Sequence, residues 1–204
     1  SYVRALCYQL FENNGVVKRE TIHQMIKNIS KEDRGDLRKA GIKIGRYHIF
    51  LPKMLKPSAV NLRIKLWKLF FPEDKKYNIP KSGLNFLKDE KSKNKKFLLL
   101  CGFENFDKFY VRVDILERFF LKIIENSKDG SFKIDSDMIN LIGCSKENFF
   151  KLLELMNYRS KNKEDKNSEI FVYKPKVMKN KGLNKNKKIT KDNPFGKLSE
   201  IRFR

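Results

Sequence analysis

The stretch GRYHIFLPKMLKPSAV, residues 45–60, has fewer ways to fold than any other part of this chain. Gly45 admits backbone angles closed to other residues. Pro52 and Pro57 fix their own φ, donate no amide hydrogen and push the residue before them out of the helical region. Neither a helix nor a central strand can therefore run through it. Between the breakers, Ile49, Phe50, Leu51, Met54 and Leu55 need a core, whereas Arg46, Lys53 and Lys56 need water or an anion. The stretch is expected to be a rigid loop, anchored by its apolar residues, that holds its cations outward.

Helical periodicity dominates on the N-terminal side. Val3, Leu6, Cys7, Leu10 and Phe11 recur at helical spacing, and Asn13-Asn14-Gly15 ends that run. Thr21 is a candidate cap for a second helix with Ile22, Met25, Ile26 and Ile29, and Ser30 with Asp33 opens a third that Gly41 stops. After the loop, Ser58 is expected to cap an amphipathic helix over 58–71. Its Ala59, Leu62, Leu66, Trp67, Leu69 and Phe70 are expected to face the core, with Arg63, Lys65 and Lys68 facing out.

Residues 73–96 are lysine-rich and carry Pro80, Ser82 and Gly83, the composition of a linker. Beyond them KFLLLCGF and KFYVRV read as two strands around an Asn105-Phe106-Asp107 turn. Asp114 and Glu117 form a capping-box variant ahead of ILERFFLKIIENS, a firm helix. A short strand SFKI, two helices joined at Gly143 and a closing strand EIFVYK complete the order, which is that of a winged-helix-like module. The expected fold class is thus mainly α with a smaller α+β part. Its domains are a helical module over 1–72, the linker over 73–96, an α+β module over 97–175 and a basic tail over 176–204. From Lys174 to Lys191 there are eight lysines and no acid; such a tail cannot bury enough apolar area to offset its ordering entropy and is expected to be disordered.

Forty-six Lys and Arg against 24 Asp and Glu give a net charge of +22, which favours a polyanionic partner. Lys and Asn rise together in AT-rich coding sequence, but that bias does not decide where the arginines fall. From Arg34 to Lys68 the charged residues are Arg34, Asp36, Arg38, Lys39, Lys43, Arg46, Lys53, Lys56, Arg63, Lys65 and Lys68. A fixed backbone loses less entropy when it grips phosphates, and aromatic rings beside it can stack on unpaired bases. Arg34, Arg38, Arg46, Lys53 and Lys56 are the candidate phosphate clamps, with Tyr47 and His48 as candidate stackers; His48 has the alternative role of orienting the loop. Lys179, Lys181, Lys185, Lys187 and Lys188 would add weak, sequence-blind affinity.

Three isolated cysteines without a CxxC suit a reducing cytoplasm. No run of about 18 apolar residues exists, so no transmembrane helix and no membrane partner are expected. A phosphate-cradling GxxxxGK[ST] is absent, as is any catalytic or metal-ligand constellation, so no cofactor and no covalent chemistry are expected of this chain itself.

DRGDLRKAGIKIGRYHIFLPKMLKPSAVNLRIKLWKL resembles a segment that follows the motor in the DExH-type RNA helicases of the mitochondrial degradosome and, more closely, in their alphaproteobacterial relatives. The matching residues are Leu37-Arg38, Gly41, Gly45, Phe50-Leu51-Pro52, Leu55-Lys56-Pro57 and Trp67. Further blocks resemble the bacterial C-terminal region in order: Gly102-Phe103, Val111 to Phe119, Met138 to Arg159 and Asn193 to Leu198. The two RecA-like motor domains with their ATP-binding motifs do not occur in this sequence. The resemblance implies a C-terminal accessory part of an ATP-dependent helicase, consistent with a chain that opens on Ser1 inside an apparent helix. It also implies that ATP and magnesium belong to the motor of the parent protein. The partners implied are single-stranded RNA or DNA, the motor domains and an exoribonuclease. The alternatives are a docking module for an exoribonuclease or ribosomal partner, and a stand-alone basic RNA-binding protein.

Overall fold

The computed structural model describes residues 1–89, 95–161 and 170–174; the expected tail, with Lys179, Lys181, Lys185, Lys187 and Lys188, lies outside them. Residues 1–174 form one compact unit, mainly α with small antiparallel sheets.

Helix α1 (Tyr2–Glu12) leads into β1 (Val16–Lys18), α2 (His23–Asn28), α3 (Lys31–Lys39), β2 (Lys43–Ile44) and β3 (His48–Phe50). Ser30 caps α3 as its sequence suggests, its hydroxyl accepting the Asp33 amide at 3.0 Å. Thr21 does not cap α2; its hydroxyl donates to the Lys18 carbonyl instead. The three strands order as β1-β3-β2, and Leu6, Leu10, Ile26, Leu37 and Ile49 form the core beneath them. The breakers act as expected. Pro52 opens a 3-10 turn over Pro52–Leu55, and Pro57, rather than Ser58, takes the first position of α4 (Pro57–Phe70), where its missing N–H costs nothing.

Helix α4 buries a different face from the one its pattern suggests. Val60, Arg63 and Ile64 are buried, whereas Leu62, Leu66, Leu69 and Phe70 are 60%, 51%, 72% and 79% exposed. Trp67 is half-buried and stacks on Phe71, with ring centroids 4.1 Å apart. The reason lies in what α4 packs against: Val60 and Ile64 join Phe97, Leu98, Phe103 and Tyr110 in one cluster, and the helix has only one side turned to it.

The expected linker contributes a strand, β4 (Phe86–Lys88), which pairs with β6. KKFLLL is α5 (Lys95–Leu100), so KFLLLCGF does not begin as a strand. The hairpin begins later, as β5 (Phe103–Phe106) and β6 (Phe109–Arg112) around Asp107, whose φ is +54°. Helix α6 (Val113–Asn126) follows, without a side-chain cap; Asp114 pairs with Arg112 at 2.7 Å, and Glu117 is used elsewhere. Then come β7 (Ser127–Lys128), β8 (Ser131–Lys133), α7 (Ser136–Ile142), α8 (Lys146–Leu155), β9 (Tyr158–Ser160) and β10 (Ile170–Tyr173). The sheet order is β7-β8-β10-β9. From α6 onward the succession is helix, two strands, two helices and two strands, with β10 between β8 and β9, an order like that of a winged helix with β7 added at the edge. Phe119, Met138, Ile142, Phe149, Leu152 and Leu153 are its buried centre.

Candidate nucleic-acid interface

The β2–β3 hairpin turns on Arg46 and Tyr47, closed by the Gly45 amide donating to the His48 carbonyl at 2.8 Å. Three successive amides at this tip point at one carboxylate. Glu117 on α6 accepts from the Arg46 amide at 2.6 Å, the Tyr47 amide at 2.9 Å and the His48 amide at 2.7 Å. A Cβ at position 45 would collide with that carboxylate and lie 2.7 Å from the His48 carbonyl oxygen, so the close approach itself requires glycine. The turn's carbonyls are held from the other side by Arg19, whose amide donates to Tyr47 at 2.7 Å and whose guanidinium donates to Gly45 at 3.1 Å.

His48 is 3% exposed and engaged at both ring nitrogens. Nδ1 lies 3.1 Å from Glu117 and Nε2 lies 2.9 Å from Glu104 on β5. The other oxygen of Glu104 takes Lys18 Nζ at 2.6 Å, and Lys18 is the cross-strand neighbour of His48. Two carboxylates, one ammonium and an imidazole that faces an acceptor on each side make a charge-balanced row if the imidazole is protonated. Burial pulls the His48 pKa down, but the hydrogen bonds and charges of Glu104 and Glu117 outweigh it and leave it raised. Burial pushes Glu104 and Glu117 up, and His48, Lys18 and the turn amides more than reverse that. A carboxylate oxygen facing each ring nitrogen favours the imidazolium form of His48, which can donate to both.

This geometry gives His48 the loop-orienting role and removes it as a base stacker, because neither ring face reaches solvent. It also makes His48 a poor general base, since both of its nitrogens are occupied. Burial pushes the Cys101 thiol up to about 12 and the Cys144 thiol up to about 11, so both stay protonated near neutral pH. The row holds a backbone in place.

What the held turn presents is a groove of about 640 Å3, lined among others by Arg19, Arg46, Tyr47, Phe106, Asn157 and Tyr173. Arg46 is exposed, its guanidinium carbon 6.0 Å from the Tyr47 ring centre. Tyr47 is half-buried and rests on Phe120, with centroids 3.9 Å apart. Of the sequence-derived candidates among the described residues, only Arg46, Tyr47 and the buried His48 border this groove. Arg38, Lys53 and Lys56 are exposed elsewhere, and Arg34 is half-buried and donates to the Ile26 carbonyl at 2.7 Å at the end of α2. Arg19, Phe106 and Tyr173 carry no sequence signal that marks them for this groove.

Helix α8, the second of the two helices joined at Gly143, is poorly suited to a phosphate backbone. Lys146 and Lys151 are balanced by Glu147 and Glu154, and Lys151 pairs with Glu147. A winged-helix order alone says nothing about what is bound. Among the described residues no group of three or more His, Cys, Asp or Glu could hold a metal ion, and no helix is long and apolar enough to cross a membrane. Comparison with known proteins returned no matching family model, curated protein or solved structure.

Proposed function

We propose that this chain binds single-stranded nucleic acid along the Arg46–Tyr47 groove, as the accessory part of an ATP-dependent RNA helicase that guides RNA at the motor. The observation that carries this reading is the turn pinned by Glu117. Three backbone amides on one buried carboxylate fix the tip before any ligand arrives, so Arg46 reaches a phosphate without the entropy cost of ordering a free loop. Arg19 and Arg46 supply charge, and Tyr47, Phe106 and Tyr173 supply rings on which bases stack in a sequence-tolerant way. The helicase context comes from the resemblance of residues 33–69 and the later blocks, in order, to the C-terminal regions of DExH-type enzymes. On that reading ATP and magnesium serve the motor, and the protein works in the cytoplasm, where Cys7, Cys101 and Cys144 stay unpaired.

The test is a salt titration of labelled oligouridylate binding by anisotropy, for the parent chain, Arg46→Ala, Tyr173→Ala and a deletion of residues 178–204. Arg46→Ala should weaken binding and flatten the slope of log K against log salt by about 0.7, the value for one phosphate no longer neutralised. Tyr173→Ala should cost about 1–3 kcal/mol with the slope unchanged. The deletion should matter mainly at low salt. Parent-like binding by both substituted chains, with loss of binding on deletion, would move the site to the tail.

A further inference from the structure

Helix α4 carries an apolar stripe that the described residues leave uncovered. Leu62, Leu66, Leu69 and Phe70 point away from the core. Leu62, Leu66 and Phe70, with Met54, Ala59 and Trp67, edge a second groove of about 380 Å3. A contiguous apolar patch on a basic, lysine-rich chain costs solubility unless something covers it.

Arg63 says what that cover should carry. It lines the same groove, is 9% exposed, and its guanidinium donates from Nη1 to the Asn14 carbonyl at 2.9 Å. Among the described residues its Nε is buried without a hydrogen-bond partner, and no carboxylate figures among the groups that shift its charge equilibrium, where burial dominates. A buried guanidinium without a carboxylate is costly, and its planar fork is shaped for one. The surrounding charge has the same sign. Lys53 and Lys56, beside Met54, and Lys65 on the helix are all exposed, and no acidic residue occurs between Asp36 and Glu73.

We propose that the α4 groove docks an acidic amphipathic helix of a partner protein, whose apolar side chains cover Leu62, Leu66 and Phe70 and whose carboxylate pairs with Arg63. A helix laid in an apolar groove anchors itself through its own residues at i, i+3 or i+4, and i+7, and here Leu62 and Leu66, one turn apart, with Phe70 form the apolar floor it would cover. The lysines around the stripe favour acidic flanks over neutral or basic ones by charge complementarity. This interaction is independent of the nucleic-acid groove, which shares no lining residue with it.

The experiment is selection of a displayed library of amphipathic helical peptides, with randomised apolar and flanking positions, against the full chain. Counter-selection uses Leu66→Asp, a position 51% exposed, with its fold checked by circular dichroism. The expected result is enrichment of sequences with Leu or Phe at helical spacing and an excess of Asp and Glu on the flanks. Their affinity should fall at least tenfold on Leu66→Asp and on Arg63→Gln, with oligouridylate binding unchanged on Leu66→Asp. Enriched peptides with neutral or basic flanks would overturn the proposal, as would none that distinguish the parent from Leu66→Asp. So would concentration-dependent dimerisation, or binding to phosphatidylserine vesicles, that Leu66→Asp abolishes in place of peptide binding; those results would assign the stripe to a second copy or to a membrane.

Discussion

Replacing Glu117 with glutamine changes one oxygen to an NH2 and removes one charge, which makes it the sharpest probe of the pinned turn. In the parent, the 5%-exposed carboxylate accepts three backbone amides at 2.6, 2.9 and 2.7 Å and faces the His48 ring at 3.1 Å. Glutamine has a single acceptor oxygen, enough for two of the three amides, and its NH2 must then face the third amide or the imidazolium. A hydrogen bond to a charged group contributes about 1.5–3 kcal/mol net, and breaking a buried ion pair by removing one partner costs about 3–5 kcal/mol. The loss should therefore fall near 3–5 kcal/mol, a large share of the roughly 5–15 kcal/mol that stabilises a typical domain. For a chain of this size it corresponds to a drop of roughly 6–20 °C in Tm. Urea unfolding followed by far-ultraviolet circular dichroism measures it. A loss below about 1 kcal/mol would refute the reasoning and reduce the turn to an ordinary hairpin.

The same row sets a pH dependence. The raised His48 pKa contributes stability in full below its unfolded value of 6.5 and loses it as pH climbs through the folded value. The lowered Glu104 and Glu117 contribute above 4.5 and lose stability as pH falls through their folded values. The network's contribution should thus peak between roughly pH 4.5 and 6.5, and Glu117→Gln should flatten the alkaline side; an unchanged alkaline slope in that variant would contradict the assignment. Gly45→Ala should destabilise by about 1–3 kcal/mol through overpacking and weaken oligouridylate binding in parallel, both read on one preparation. Leu66→Gln should change stability by less than about 0.5 kcal/mol, whereas Phe149→Ala in the buried centre should cost about 3–5 kcal/mol, as denaturant midpoints will show.

Much of the fold is legible in the sequence because its signals are local. Ser30 and Gly143 mark helix ends where the sequence places them, Pro52 and Pro57 open a 3-10 turn and a helix, and α6, β8, α7, α8 and β10 follow from their periods, whereas the short strands β7 and β9 do not. The face of α4 is not legible. Its sequence offers a narrow stripe of Val60 and Ile64 and a broad one of Leu62, Leu66, Leu69 and Phe70. Only the cluster around Phe97 and Tyr110, more than thirty positions away, decides that the narrow one is buried. Residues 95–100 look like a strand in sequence because a short apolar run has no period of its own.

For the candidate site, the basic loop can be read from sequence, but its holder cannot. Glu117 lies 71 positions from Arg46, and nothing local pairs them. One signal exists: Glu117 sits on the apolar stripe of α6, between Val113 and Phe120, where an unpartnered acid would be expensive. The capping-box reading explains it locally and so conceals its tertiary role. Arg19 and Tyr173 carry no motif and join the groove only through the hairpin and the closing strand.

Photo-crosslinking of a 4-thiouridine-substituted oligouridylate to the full chain, mapped by mass spectrometry, tests the central claim most directly. The account predicts crosslinks on the peptides carrying Tyr47, Phe106 and Tyr173, reduced by Arg46→Ala. Crosslinks confined to residues 175–204 or to α8, unaffected by Arg46→Ala, would contradict it.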